Sequence, residues 1–128
     1  MNARKIVIID DDPDQQLGLR VRLTASGYQV ASATDAMQAV SVVRKEKPDL
    51  ILLDIGLPGG DGHTVLQRLR SLGPMASIPV IVLSAADPSA HRDRMRAAGI
   101  SDYFQKPADS AQLMAAIRKA LGEEVSAG

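Results

Sequence analysis

Residues 6–13 read Ile6-Val7-Ile8-Ile9-Asp10-Asp11-Asp12-Pro13, and the fold is decided at this junction. A short run that is apolar throughout lacks the alternation of a half-exposed strand and fits a strand covered on both faces. The acids behind it mark the strand's carboxyl end. Asp12-Pro13 then sets a capping carboxylate in front of a proline at a first helical position. Strand, acidic turn and helix start follow one another without a spacer, as in a βα unit.

Outward from this point the pattern repeats. Further apolar runs stand at residues 30–31 with Tyr28, at 50–53, at 80–83 and at 103–104. Helical stretches separate them. Ser26-Gly27 and Lys47-Pro48 read as helix stops. Ala36, Ala39, Val40 and Val43 fall on one helical face, as do Val65, Leu66, Leu69 and Leu72. The segment 89–98 carries His91, Arg92, Asp93, Arg94 and Arg96 with little apolar stripe, and Gly99 ends it. Leu113, Met114, Ile117 and Leu121 line the last helix, which Gly122 stops. Met37, Met95 and Met114 read as packing, and His63 and His91 as exposed helix residues without a metal or phosphodonor role. The fold class expected is α/β: a (βα)5 doubly wound parallel sheet with helices on both faces. Residues 1–122 form the single domain expected, and 123–128 a flexible tail.

Composition narrows the function. The chain has 128 residues, 45% of them hydrophobic, which suffices for a core. Tyr28, Tyr103 and Phe104 are its aromatics, so aliphatic side chains fill that core. Fifteen basic and fifteen acidic residues cancel, which argues against a direct nucleic-acid surface. Without cysteine there is no disulfide and no thiolate metal site. No run approaches the ~20 apolar residues of a membrane span, and the first residues do not read as a signal peptide. A cytoplasmic protein is expected.

In open α/β sheets ligands bind at the carboxyl ends of strands, where the strand order reverses. The order 2-1-3-4-5 is taken over from known doubly wound folds rather than read from the residues; it places the reversal between strands 1 and 3. Those strands end in Asp10-Asp11 and in Asp54. Strand 4 ends in Ser84-Ala85, and Lys106-Pro107 follows strand 5. Clustered carboxylates repel one another, and a divalent cation relieves the repulsion. An all-oxygen set suits Mg2+, with Mn2+ as a plausible replacement. Phosphoryl transfer needs positioning and charge stabilisation. Asp54, central between the acid pair and Lys106, is the natural acceptor. Lys106 and the Ser84 hydroxyl can donate to phosphoryl oxygens. Asp12 reads as a helix cap, and Asp14 as surface charge.

The chain resembles the receiver domain of two-component response regulators, also called flavodoxin-like. The pieces that carry the likeness are Ile6 to Pro13, Lys47-Pro48-Asp49 running into Asp54, Leu57-Pro58-Gly59-Gly60-Asp61-Gly62, Ile78-Pro79 running into Ser84-Ala85, and Lys106-Pro107. The resemblance implies Asp54 as phosphoacceptor and Asp10 and Asp11 as Mg2+ ligands, joined by the backbone carbonyl of Gly56. It implies Ser84 as switch hydroxyl beside Ala85, Lys106 as the family's invariant lysine, and a cis bond before Pro107. Tyr103 would turn inward once phosphorylation has drawn Ser84 toward the acceptor. The phosphoryl group would come from a histidine kinase or histidine phosphotransfer protein, and a downstream effector protein or output domain would read the result. A homodimer through the face of the fourth helix, fifth strand and fifth helix is a further option. Such a domain catalyses its own modification but is not a turnover enzyme. Gly56, Ala86 and Ala108 are smaller than the residues common at those places in the family.

Three rivals stand beside this reading. A haloacid-dehalogenase-type phosphatase would use Asp10 as nucleophile in the Asp-x-Asp of Asp10 to Asp12. A flavodoxin-like binding module would need a Gly/Ser/Thr phosphate loop where this chain has acids. A receiver-like domain could act by protein contact alone.

Overall fold

A computed structural model describes residues 3–56 and 62–123, with the backbone alone at residues 88 and 90–92. The quoted stretch 57–61, the His91 side chain and the tail beyond residue 123 lie outside what it describes. The elements run β1 (Lys5–Ile9), α1 (Pro13–Ala25), β2 (Gln29–Ala33), α2 (Ala36–Glu46), β3 (Leu50–Leu53), α3 (Gly62–Ser71), β4 (Val80–Ser84), α4 (Pro88–Ala97), β5 (Asp102–Gln105) and α5 (Ser110–Ala120). A 3-10 turn, Gly73–Met75, which the sequence reading does not foresee, leads into β4. All strand pairs are parallel, in the order β2-β1-β3-β4-β5.

The pleat sorts the apolar runs. Ile6, Ile8, Leu50, Leu52, Ile81 and Leu83 turn to one side, where Leu19 and Leu23 of α1 and Leu113, Met114 and Ile117 of α5 cover them. Val7, Ile9, Ile51, Leu53, Val80 and Val82 turn to the other, against α2, α3 and Met95 of α4. Both faces of the central strands are therefore dry, and continuous aliphatic runs are what such strands require. Burying one aliphatic side chain fully is worth about 1.5–3 kcal/mol relative to leaving it exposed, and in this core aliphatic residues make nearly all of that contribution.

The helix ends follow the chemistry legible in the sequence. The Asp12 carboxylate accepts from the amides of Asp14 and Gln15 and caps α1. Lys47 closes α2 in the left-handed region, with φ 49°. Two expectations fail. Met37 is 81% exposed, because the inward face of α2 is the arc of Ala39, Val40 and Val43 and residue 37 points away from it. His63 is buried, since with Leu66 and Arg70 it lines the groove between α3 and α4. Leu72, expected on the α3 stripe, lies just past the helix and is partly buried against the same core.

The weak amphipathicity of α4 has a structural counterpart. Met95 is its one fully buried residue among the described side chains. A clamp from α3 holds its end instead: the Arg70 guanidinium donates to the carbonyls of Ala98 and Gly99, and to those of Ala76 and Ile78 before β4.

Tyr28 ties the start of β2 to the end of α5, its hydroxyl donating to Glu123 at 2.8 Å. Burial, then the neighbouring Glu123 carboxylate, push the phenol up to about 12. The neutral phenol is the form folding favours. Its stabilising effect is therefore fully present below the ordinary phenol value of about 10 and is lost as pH rises from there toward the folded value. In a phenolate absorbance titration, Tyr28→Phe should remove the highest-pH component; a wild-type midpoint at the ordinary phenol value for both tyrosines would contradict this.

Candidate functional site

Parallel pairing brings the functional side chains together. Because β1, β3, β4 and β5 are parallel neighbours, the residues that end them stand on one edge of the sheet. The Asp10 amide donates to the Ala33 carbonyl, the Asp54 amide to Ile9, and the Lys106 amide to Ser84, which continues the ladders past the last strand residues. Asp10, Asp54 and Lys106 are thereby fixed by their backbones before any side-chain contact is made.

Three donors hold the Asp54 carboxylate. Its Oδ1 accepts from the Gly56 amide and from the Ser84 hydroxyl, both at 2.8 Å, and its Oδ2 from Lys106 Nζ at 3.1 Å. Asp10 takes the Asp12 amide on Oδ1 at 2.9 Å and Lys106 Nζ on Oδ2 at 2.7 Å. One ammonium thus bridges two carboxylates that are 2% and 8% exposed. Asp11 is exposed, and one carboxylate oxygen each from Asp10, Asp11 and Asp54 can lie within 4.8 Å of one another.

The electrostatics match this crowding. Burial raises the Asp10 pKa above the ordinary carboxylate value, and Lys106 and the Asp12 amide only partly offset it. Burial also works against the Lys106 ammonium, but its hydrogen bonds to Asp10 and Asp54 prevail and leave its pKa above the usual lysine value. Three carboxylates face one ammonium, a deficit of positive charge that an oxygen-seeking cation would fill.

Tyr103 is half-buried, and its hydroxyl donates to the Ala86 carbonyl at 2.9 Å. The expectation was that Ser84 and Tyr103 take these positions after phosphorylation. Both side chains lie near the Asp54 carboxylate in this structure. Ala85 is exposed, and its carbonyl receives the Gln105 side-chain amide at 3.5 Å. The Lys106–Pro107 bond is cis.

Two positions that build the site had no role in the sequence reading, Gly62 being quoted only within the motif 57–62. Gly62 opens α3 with its amide on the Ile55 carbonyl. A Cβ there would stand 2.4 Å from Ile55 Cα and 2.8 Å from the Asp54 carbonyl oxygen, so α3 can approach the end of β3 this closely only on a glycine. Gln16 is buried, and its Nε2 donates to the carbonyls of Ile8, Asp10 and Ala33. Its spacing from Leu19 and Leu23 puts a polar residue on an otherwise apolar stripe, and that was the available signal. Asp12, by contrast, spends its carboxylate on capping α1, which leaves the phosphatase reading of Asp10 to Asp12 without its second acid.

Lys106→Ala should lower stability in metal-free buffer by roughly 1–3 kcal/mol, since it strips two buried carboxylates of their counter-charge. Added Mg2+ should recover more stability in the variant than in the wild type, because the competing ammonium is gone. Chemical denaturation with and without Mg2+ measures both; equal curves for the two proteins would refute the shared-ammonium account.

The profile of the response regulator receiver domain family matches residues 6–118. Among curated relatives, the chain is 36% identical over 118 residues to the response regulator PleD of Caulobacter vibrioides, covering 92% of this chain and 26% of PleD. It is 38% identical over 117 residues to the DNA-binding dual master transcriptional regulator RpaA of Synechocystis, covering 91% of this chain and 48% of RpaA. The chain thus spans half or less of these relatives. The receiver domain of the sensor histidine kinase PA1611 from Pseudomonas aeruginosa, solved with a magnesium ion in its active-site cleft, superposes with a TM-score of 0.86 at 29% identity, covering 95% of this chain and all of that one. No helix among the described residues is long and apolar enough to cross a membrane. A family match that runs from the first strand into the last helix, over a sheet of the expected order, means that this chain belongs to the receiver domains of two-component response regulators.

Proposed function

We propose that Asp54 is the phosphoacceptor of this receiver domain, and that its phosphoryl group comes from a phosphohistidine on a histidine kinase or histidine phosphotransfer protein. The observation that carries the proposal is the Asp54 carboxylate itself, nearly buried, held by the Ser84 hydroxyl and the Lys106 ammonium, with Asp10 and Asp11 alongside. The donor set is all oxygen and short of positive charge, so it fits Mg2+, with Mn2+ as a replacement. Asp10, Asp11, Asp54 and the Gly56 carbonyl would hold the ion. Bound there, it would offset negative charge on the phosphoryl oxygens.

The remaining steps belong to the chain's own residues. The β-strand ends hold Asp54 in place, so little reorganisation precedes attack. An Asp54 oxygen attacks phosphorus; the O–P bond forms as the N–P bond of the phosphohistidine breaks, and the imidazole nitrogen keeps the electron pair and takes up a proton. The product carries about −1.5 to −2 charge and three acceptor oxygens. Lys106 and Ser84 then donate to those oxygens in place of the carboxylate. A shift of Ser84 reaches Tyr103 through Ala86, whose amide lies on the Ser84 hydroxyl and whose carbonyl takes the tyrosine. The surface of α4, β5 and α5 changes accordingly, and a downstream effector protein or output domain reads it. The domain catalyses its own modification without being a turnover enzyme.

Intact-mass analysis with acetyl phosphate and Mg2+ should show the addition of one phosphoryl group to the wild type and none to Asp54→Asn; equal labelling of the two would remove Asp54 from the role. Asp11→Ala keeps the acceptor and removes a metal ligand, so its Mg2+ titration should weaken by at least about tenfold. An unchanged titration would move the ion elsewhere.

A further inference from the structure

We propose that Gln16 is a positioning residue for the Asp10–Asp11 acid pair, acting through the peptide that joins them; this rests on the reading of that pair as the Mg2+ site. Gln16 stands in the first turns of α1, and helical side chains lean toward the helix N-terminus, here toward the acidic turn. Its main-chain amide donates to the Asp12 carbonyl at 3.0 Å. Its side-chain Nε2 donates to Asp10 O at 2.9 Å, Ala33 O at 3.1 Å and Ile8 O at 3.2 Å.

Three carbonyls share the two hydrogens of one amide nitrogen. The orientation is not interchangeable, since turning the amide over would set its oxygen against all three carbonyl oxygens. The price is visible at the other end: Gln16 Oε1 is buried without a partner among the described residues. Leucine or methionine would fill the same space without a buried Oε1, but would withdraw the side-chain donor from all three carbonyls. The amide is therefore there for what its donors hold.

What they hold is the root of the acid pair. The Asp10 carbonyl is one end of the planar peptide whose other end is the Asp11 amide, so fixing that oxygen fixes the plane from which both carboxylates depart. The Ala33 carbonyl that receives Gln16 also receives the Asp10 amide. The nitrogen side and the carbonyl side of Asp10 are thus tied to one point on β2. Lys106 and the Asp12 amide orient the Asp10 carboxylate, but neither holds its peptide. A ligand's supporting contacts commonly govern metal affinity as strongly as the ligand's own identity.

The test uses Gln16→Met, which keeps the volume and removes the donors, beside Leu23→Val, which loosens the same helix away from the acids. Calorimetric titration should give a Mg2+ dissociation constant raised about tenfold in Gln16→Met and unchanged in Leu23→Val at matched loss of thermal stability. With acetyl phosphate, the Mg2+ concentration for half-maximal labelling should rise while the labelling rate at saturating Mg2+ stays close to wild type. In metal-free protein, the Asp12 amide, which reports on Asp10 Oδ1, should exchange with solvent about fivefold faster in Gln16→Met, the factor of one average hydrogen bond. If the variant does not fold, wild-type NMR decides: the Gln16 side-chain amide protons should exchange slowly and shift on Mg2+ addition. An unchanged dissociation constant with unchanged Asp12 exchange would overturn the proposal, as would Gln16 amide signals that ignore Mg2+ while those of Asp10 and Asp11 move. A wild type that binds no Mg2+ would overturn the metal reading instead, and the metal-free exchange comparison would still support or refute the positioning role.

Discussion

One ammonium shared between two buried carboxylates, with a third and exposed carboxylate beside them, leaves negative charge in excess at one edge of the sheet. Asp10 and Asp54 are nearly dry, and both depend on Lys106. Left to themselves, such groups would separate or take up protons. Separation is prevented because their backbones are locked into adjacent strand ends, and the helices that cover those strands on both faces keep the ends from splaying. The core thus stores an electrostatic tension at one edge of the sheet, and a cation or a phosphoryl group can relieve or redirect it.

The lock is built from groups that have no charge. Gly62 lets α3 press against the end of β3, and Gln16 ties the base of the acid pair to β1 and β2. Both act on backbone rather than on carboxylates. The arrangement gives rigidity where charge is handled and leaves the carboxylate of Asp11 in solvent.

Rigidity gives way on the far side of the site. Ser84 connects Asp54 to Ala86, and Ala86 to Tyr103, so the chain of contacts leaves the acids through β4 and arrives beside α4. That helix buries little of its own surface among the described side chains, and the Arg70 clamp fastens its end. An element with few apolar contacts can shift at small energetic cost, which suits it to report the state of a buried carboxylate.

The sequence by itself determined the element order, the dryness of the central strands, the cap at Asp12 and the placing of Asp10, Asp11, Asp54, Ser84 and Lys106 at or just past strand ends, because periodicity and strand-end position are local properties of the chain; that those ends meet follows from the strand order, which only the structure supplies. The tertiary structure alone decided which donors each carboxylate oxygen receives, that Ser84 donates to Asp54 and Tyr103 to Ala86, that His63 is buried while Met37 is not, and that Gln16 and Gly62 support the acids. Those facts depend on distances between elements far apart in sequence. Hydrophobic pattern says which face turns inward, but only packing says what waits there: a carbonyl cage for Gln16, and a strand end that leaves Gly62 no room for a Cβ.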